Sequence, residues 1–218
     1  VPGRRRQKRT DRSKLDATPP WESRFRAEPE ATKGPFDERD APEDEVPRVD
    51  LGALRVPIGD SYDIRVDLNE AQQVISATLA AQDGTMQLGV FAAPRNEGIW
   101  DEVRDEIAAS LNTQRKSSAT EKDGPFGPEL HATLPGEGGK GTVPARFIGV
   151  DGPRWFLRAL LAGPVAADPA KAKTLEDALR GIVVVRGNDP LPVREPVPLK
   201  LPSDLELPGG DDAADGIP

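Results

Sequence analysis

The sequence predicts an α+β domain in which an antiparallel sheet carries two main helices packed on one face. Three observations predict it. Tyr62, Ile64, Val66 and Leu68 alternate with Asp63, Arg65 and Asp67, the two-residue period of a half-buried strand. Asp-Gly pairs at 83–84 and 151–152 each separate two apolar runs, as hairpin turns do. Ile99, Val103, Ile107 and Leu111 recur every four residues, the spacing of a helix with one apolar face.

The elements follow in order. Residues 74–80 and 85–92 read as strands around the first Asp-Gly pair. Pro94, Asn96 and Gly98 break the chain before the helix at 99–113. Asp101, Glu102, Asp105 and Glu106 sit early in that helix, where carboxylates complement its dipole. The polar stretch 115–128 contains Gly124, Pro125, Gly127 and Pro128 and reads as a mobile loop. Residues 130–134 form a short strand, and the glycine loop 136–141 leads into a strand at 142–150. The segment 154–162 fits a helix capped by Asp151, or a strand with Trp155, Leu157, Ala159 and Leu161 on one face. The strand is preferred, because it completes a hairpin with the second Asp-Gly pair. After Gly163 and Pro164, residues 171–180 read as a helix, and 182–186 as a β-branched strand. The order hairpin, break, helix occurs twice, which suggests two β-β-β-α units sharing one sheet.

Charge and proline divide the chain into three parts: a basic-then-acidic arm at 1–50, the α+β domain at 51–186, and a Pro-rich strap with an acidic tail at 187–218. Residues 1–14 carry seven basic side chains and one acid, whereas 15–50 carry eleven acids and five bases. The arm lacks hydrophobic periodicity and is expected to be disordered. Trp21 and Phe25, at i,i+4 spacing, would share one face of a helix formed on docking. In the C-terminal part, prolines alternate with Leu191, Val193, Val197, Leu199 and Leu201, which favours extended backbone lying across the domain. Past Pro208 the tail is expected to be free.

The inventory of reactive groups is short. Cysteine is absent, which excludes disulfides, thiolate metal sites and cysteine nucleophiles. His131 is the one histidine, so a multi-histidine metal centre is excluded. No catalytic residue, metal ligand or cofactor site is assigned. The loop 136–141 matches G-x-G-x-x-G, but a dinucleotide site needs that loop to open a helix, and here a strand follows. No run approaches the ~18–20 apolar residues that span a bilayer, and no apolar stretch follows the basic N-terminus. Membrane insertion is therefore not expected, and the expected compartment is the cytoplasm. Arg154 and Arg158 flank apolar residues and share a strand face with Phe156, which makes an exposed partner-binding strip.

The run from Arg146 to Pro164, with Val150-Asp151-Gly152-Pro153-Arg154-Trp155-Phe156-Leu157-Arg158 its most specific portion, continues through Val184 to Gly187 and the strap to Pro202. Over about residues 50–202 it resembles an actinobacterial family known only as a domain of unknown function, whose members are often encoded beside dUTPase. The resemblance implies a small cytoplasmic bacterial protein and supplies no catalytic residues. The strand–helix order is also loosely similar to secretion-chaperone-like folds, which bind proteins.

The leading expectation is a non-enzymatic protein-interaction or adaptor module that meets an unidentified protein through Arg154, Trp155, Phe156 and Arg158. One alternative is a nucleic-acid-associated protein using Arg4, Arg5, Arg6, Lys8 and Arg9 of the basic tip, with salt-sensitive binding. Another is an enzyme with a site near His131 and the glycine loop.

Overall fold

The structure, a computed structural model, describes residues 34–69, 73–136, 138 and 140–201. Among them are seven strands of one sheet: β4 (Tyr62–Leu68), β5 (Val74–Ala81), β6 (Gly84–Ala92), β7 (Ser118–Gly124), β8 (Gly127–Pro135), β9 (Thr142–Gly152) and β10 (Trp155–Ala162), in the order β4-β5-β6-β10-β9-β8-β7. All neighbours are antiparallel, with β6 and β10 paired at the centre. A smaller sheet has the order β1-β11-β3-β2, from β1 (Phe36–Asp37), β2 (Arg48–Asp50), β3 (Leu54–Pro57) and β11 (Val183–Val184). The helices are α1 (Trp100–Thr113), the short α2 (Pro164–Ala167) and α3 (Pro169–Arg180).

Successive side chains of β10 point to opposite faces, and this separates two cores. Trp155, Leu157, Ala159 and Leu161 pack with Ala172, Leu175 and Leu179 of α3 and with Leu54 and Val56 of the smaller sheet. Phe156 points the other way, into a cluster with Trp100 and Leu111 of α1 and with Leu130, Ala145 and Phe147 of the large sheet. The indole of Trp100 lies over Gly149, where a Cβ would stand 2.2 Å from the ring. Its Nε1 donates to the Pro128 carbonyl at 2.7 Å.

This architecture overturns the α+β expectation. Strands hold 44% of the described residues and helices 21%. The helices do not share a face: α1 covers one side of the large sheet and α3 the other. Two β-β-β-α units fail for that reason, and because the second meander has four strands, β7 to β10. The stretch 115–128 is not a loop over its length. Most of it builds β7 and the start of β8, joined by a tight turn at Pro125 and Phe126. Phe126 lies under the Arg180 guanidinium of α3 at 4.9 Å, a tertiary contact that local composition does not announce.

Two further differences concern the ends. Residues 36–50, expected within a disordered arm, supply β1 and β2. Asp37 of β1 accepts the Trp155 Nε1 hydrogen bond at 2.7 Å, which satisfies a buried indole. The second hairpin turns at Pro153-Arg154, two residues beyond Asp151-Gly152, with Arg154 at φ 67°. Gly152 is needed by Trp155, whose ring would lie 2.1 Å from any Cβ there.

The C-terminal strap enters where β5 and β6 part. Arg194 N–H donates to the Ala92 carbonyl at 2.7 Å, Ala92 N–H to Glu195 at 2.9 Å, and Val197 N–H to Val90 at 2.8 Å. Leu199 then bridges Val74 of β5, and Lys200 N–H reaches the Leu51 carbonyl at 2.8 Å. Among the described residues no helix is long and apolar enough to cross a membrane.

Candidate functional site

Helix α1 lies chiefly against β7, β8 and β9, and its Trp100 stacks on Phe156 of β10. On that side of the sheet, the half made by β4, β5 and β6 has no described element over it. Alternation places Arg65 and Asp67 of β4, Ser76 and Thr78 of β5, and Gln87 of β6 on this open face. They form an ordered polar platform. Ser76 Oγ and Thr78 Oγ1 both donate to Asp67 Oδ2, and Gln87 Nε2 donates to Ser76 Oγ at 3.2 Å. At its outer corner is an open hollow of about 520 Å³, lined chiefly by exposed Asp60, Asp63, Arg65 and Gln82.

At the inner edge, where the platform meets α1 and the strap, lies a cleft of about 110 Å³. Its walls are apolar: Phe91 of β6, Phe156 of β10, Val103 of α1, and Ile99 just before that helix. Its polar groups are Arg158, Arg194 and Glu106. The strap carries Arg194 to the rim at φ 71°, where its guanidinium binds Glu106 at 2.8 and 3.0 Å and Glu102 at 2.8 Å. Arg158 is different. Its guanidinium stacks on Phe91 at 5.1 Å and has no carboxylate in ion-pair range among the described residues. Burial pushes its pKa below the ordinary guanidinium value, yet a guanidinium stays charged in water at neutral pH. At the cleft, two guanidiniums meet two carboxylates, Glu102 and Glu106, and both carboxylates sit on Arg194.

Of the four side chains expected to meet a partner, Phe156 and Arg158 line this cleft. Trp155 is 2% exposed and points into the opposite core. Phe156 is equally buried and serves as the cleft's floor. Arg154 sits at the hairpin turn, its carbonyl accepting from Ala93 N–H at 3.0 Å and from Arg186 Nε at 3.1 Å. The strand turns Trp155 and Phe156 to opposite faces, and both are buried because both faces are covered there. Phe91, Val103, Glu106 and Arg194 were not legible as site residues, because they come from distant elements joined only by the fold. The basic tip Arg4, Arg5, Arg6, Lys8 and Arg9, the Trp21–Phe25 pair and the acidic tail past Pro208 lie outside the described residues.

His131 lies on the α3 side of the sheet, half-buried. Its Nε2 is 3.8 Å from Glu129 Oε2, and Arg146 Nε is 3.5 Å from the same oxygen. Arg146 also pairs with Glu176 of α3. Burial pushes the Glu129 carboxyl above its usual range and outweighs the attraction of Arg146. Burial, with Lys122 and Arg146 nearby, pushes His131 down. The group is a packed charge network joining the β7–β8 hairpin to α3, away from both depressions of the platform. The glycine loop closes the β8–β9 hairpin through Gly136 N–H to Gly141 at 3.2 Å, between two strands.

Fold and cleft together define a mostly-β domain of two sheets, with a small apolar cleft at the junction of a helix and a C-terminal strap. The chain belongs to the family described as Protein of unknown function (DUF3710), whose model matches residues 34–207, a span that includes both sheets and the strap. No curated protein matches the sequence.

Proposed function

We propose that this chain is a non-enzymatic protein-interaction module of an actinobacterial cytoplasm, and that its partner docks on the platform of β4, β5 and β6 and into the adjoining cleft. The observation that carries this reading is the platform itself: half of a sheet face with no described element over it, bounded by α1 and the strap. The size of the depressions favours a macromolecule. Small-molecule sites are enclosed, mostly apolar and ~300–1,000 Å³. The apolar cleft is far smaller, at about 110 Å³, and the larger hollow is open and lined by exposed charge. A protein surface can span both, with one side chain anchored in the cleft.

The test places a photo-crosslinking side chain at Gln87 on the platform and, separately, at Lys122 on the far edge strand β7. In the native host, the expected result is one discrete protein adduct from position 87 and none from position 122. Equal adducts from both positions, or none from position 87, would rule the platform out as the docking face.

A further inference from the structure

We infer that the Arg158 cleft is a carboxylate-recognition site that receives one acidic side chain of a peptide segment, with apolar neighbours of that side chain lying on Phe91, Val103 and Phe156. The inference rests on the docking reading above and names the chemistry of what docks.

Three observations support it. The first is charge. Arg194 is already engaged by Glu102 and Glu106, whereas Arg158, in the same cleft, has no carboxylate in ion-pair range among the described residues. Arg158 is therefore the guanidinium of the cleft whose fork has no carboxylate on it. The second is geometry. A guanidinium held over an aromatic ring still presents its planar fork, and a carboxylate meets such a fork with two parallel hydrogen bonds. Pre-orientation by Phe91 removes part of the ordering cost that a free arginine would bear on binding. The third is the company the anion would keep. Glu102 and Glu106 stand at the rim, with Asp101 and Asp105 on the same helix, so a doubly charged phosphate would meet more repulsion than a singly charged carboxylate. The apolar walls and small volume fit an acidic side chain beside an aliphatic one, and leave no room for a larger free metabolite.

The experiment uses the full chain labelled with nitrogen-15 and follows the Arg158 Nε–Hε resonance. The probe is an acetylated, amidated tripeptide with glutamate between two leucines; the control has glutamine in the same place. The expected result is a saturable shift of the Arg158 signal with the glutamate peptide, and binding weaker by roughly tenfold or more with the glutamine peptide. Arg158→Gln should abolish the difference between the two peptides. Equal shifts from both peptides would overturn carboxylate recognition while leaving the cleft as a docking point. No shift from either peptide would overturn the inference outright. The platform reading is judged separately by the crosslink at Gln87. The peptide comparison needs no variant, so a folding defect in Arg158→Gln leaves the test intact.

Discussion

Glu129 shows how a single buried group sets a pH response. It is fully buried, faces Arg146 and His131, and lies near Glu176 and the β7–β8 turn, where a Cβ on Gly124 would stand 2.1 Å from its carboxyl carbon. Its pKa is raised in the fold, so between the ordinary carboxylate value of ~4.3 and the folded value the native state holds more protons than the unfolded chain. Its contribution to stability is then complete at low pH and is lost as pH rises through the folded value. Asp44 and Asp177 have lowered values, set first by their hydrogen bonds to Arg48 and Lys173, so their contributions are lost as pH falls below the carboxylate range. His131, lowered by burial, contributes stability that is lost as pH falls below ~6.5. Comparing the native chain with Glu129→Gln isolates the first effect from the others. The expectation is that the glutamine variant gains stability relative to the native chain as pH rises from about 4 to 7, measured by denaturant unfolding at each pH. A difference that stays constant with pH would show that Glu129 has the same pKa in the fold as in the unfolded chain. None of this was legible in the sequence, where Glu129 and His131 are two polar residues on a short strand. Arg158, which lines the cleft, was legible as a candidate, because its strand places a cation among apolar neighbours.

Helix α1 depends on a residue from another element. The four-residue spacing of Ile99, Val103, Ile107 and Leu111 announces the helix, but nothing local announces its cap, since the residue at that position is Ile99 and gives no side-chain hydrogen bond. Asp151 of β9 supplies the acceptor, taking Ile99 N–H at 2.9 Å and Trp100 N–H at 3.3 Å. Gly98 makes room, as a Cβ there would meet the Asp151 carboxylate at 2.4 Å. In the sequence Asp151 fits the Asp-Gly hairpin turn or a cap on 154–162, and nothing local links it to a helix that starts at Trp100. Asp151→Ala is expected to cost about 1 kcal/mol of stability, with faster amide exchange at the start of α1 and little change in α3. Equal exchange in both helices would mean that the cap is not what Asp151 contributes. Strand β7 was hidden for a different reason. It is an edge strand with mostly exposed residues, so it lacks the apolar alternation by which β4 declares itself. Its pairing with β8, and the docking of Phe126 on α3, hold it in place instead.

The two sheets behave as one molecule because a few long-range bonds join them. The strap, paired with β6, reaches Leu51 through Lys200, and the buried indole of Trp155 on β10 ends on Asp37 of β1. The last of these fixes where the folded part begins. The expected boundary at residue 51 followed apolar density, which is low before Leu51. A two-residue strand such as β1 has no period to read and exists only because β11 and Trp155 are there to receive it. The consequence is testable in the full chain. Asp37→Ala leaves the Trp155 N–H buried at 2% exposure without its acceptor, a loss of about 1–3 kcal/mol for an unsatisfied buried donor. Because Trp155 also packs against the α3 core, that loss should lower the midpoint of the whole unfolding transition, followed by tryptophan fluorescence and by circular dichroism alike. Removing residues 1–50 should cost more, since β2 goes with β1 and exposes Leu54 and Val56 of β3 along with the β11 edge. If the chain beginning at residue 51 unfolds at the native midpoint, the smaller sheet is an appendage, and the folded part begins where apolar density alone would place it.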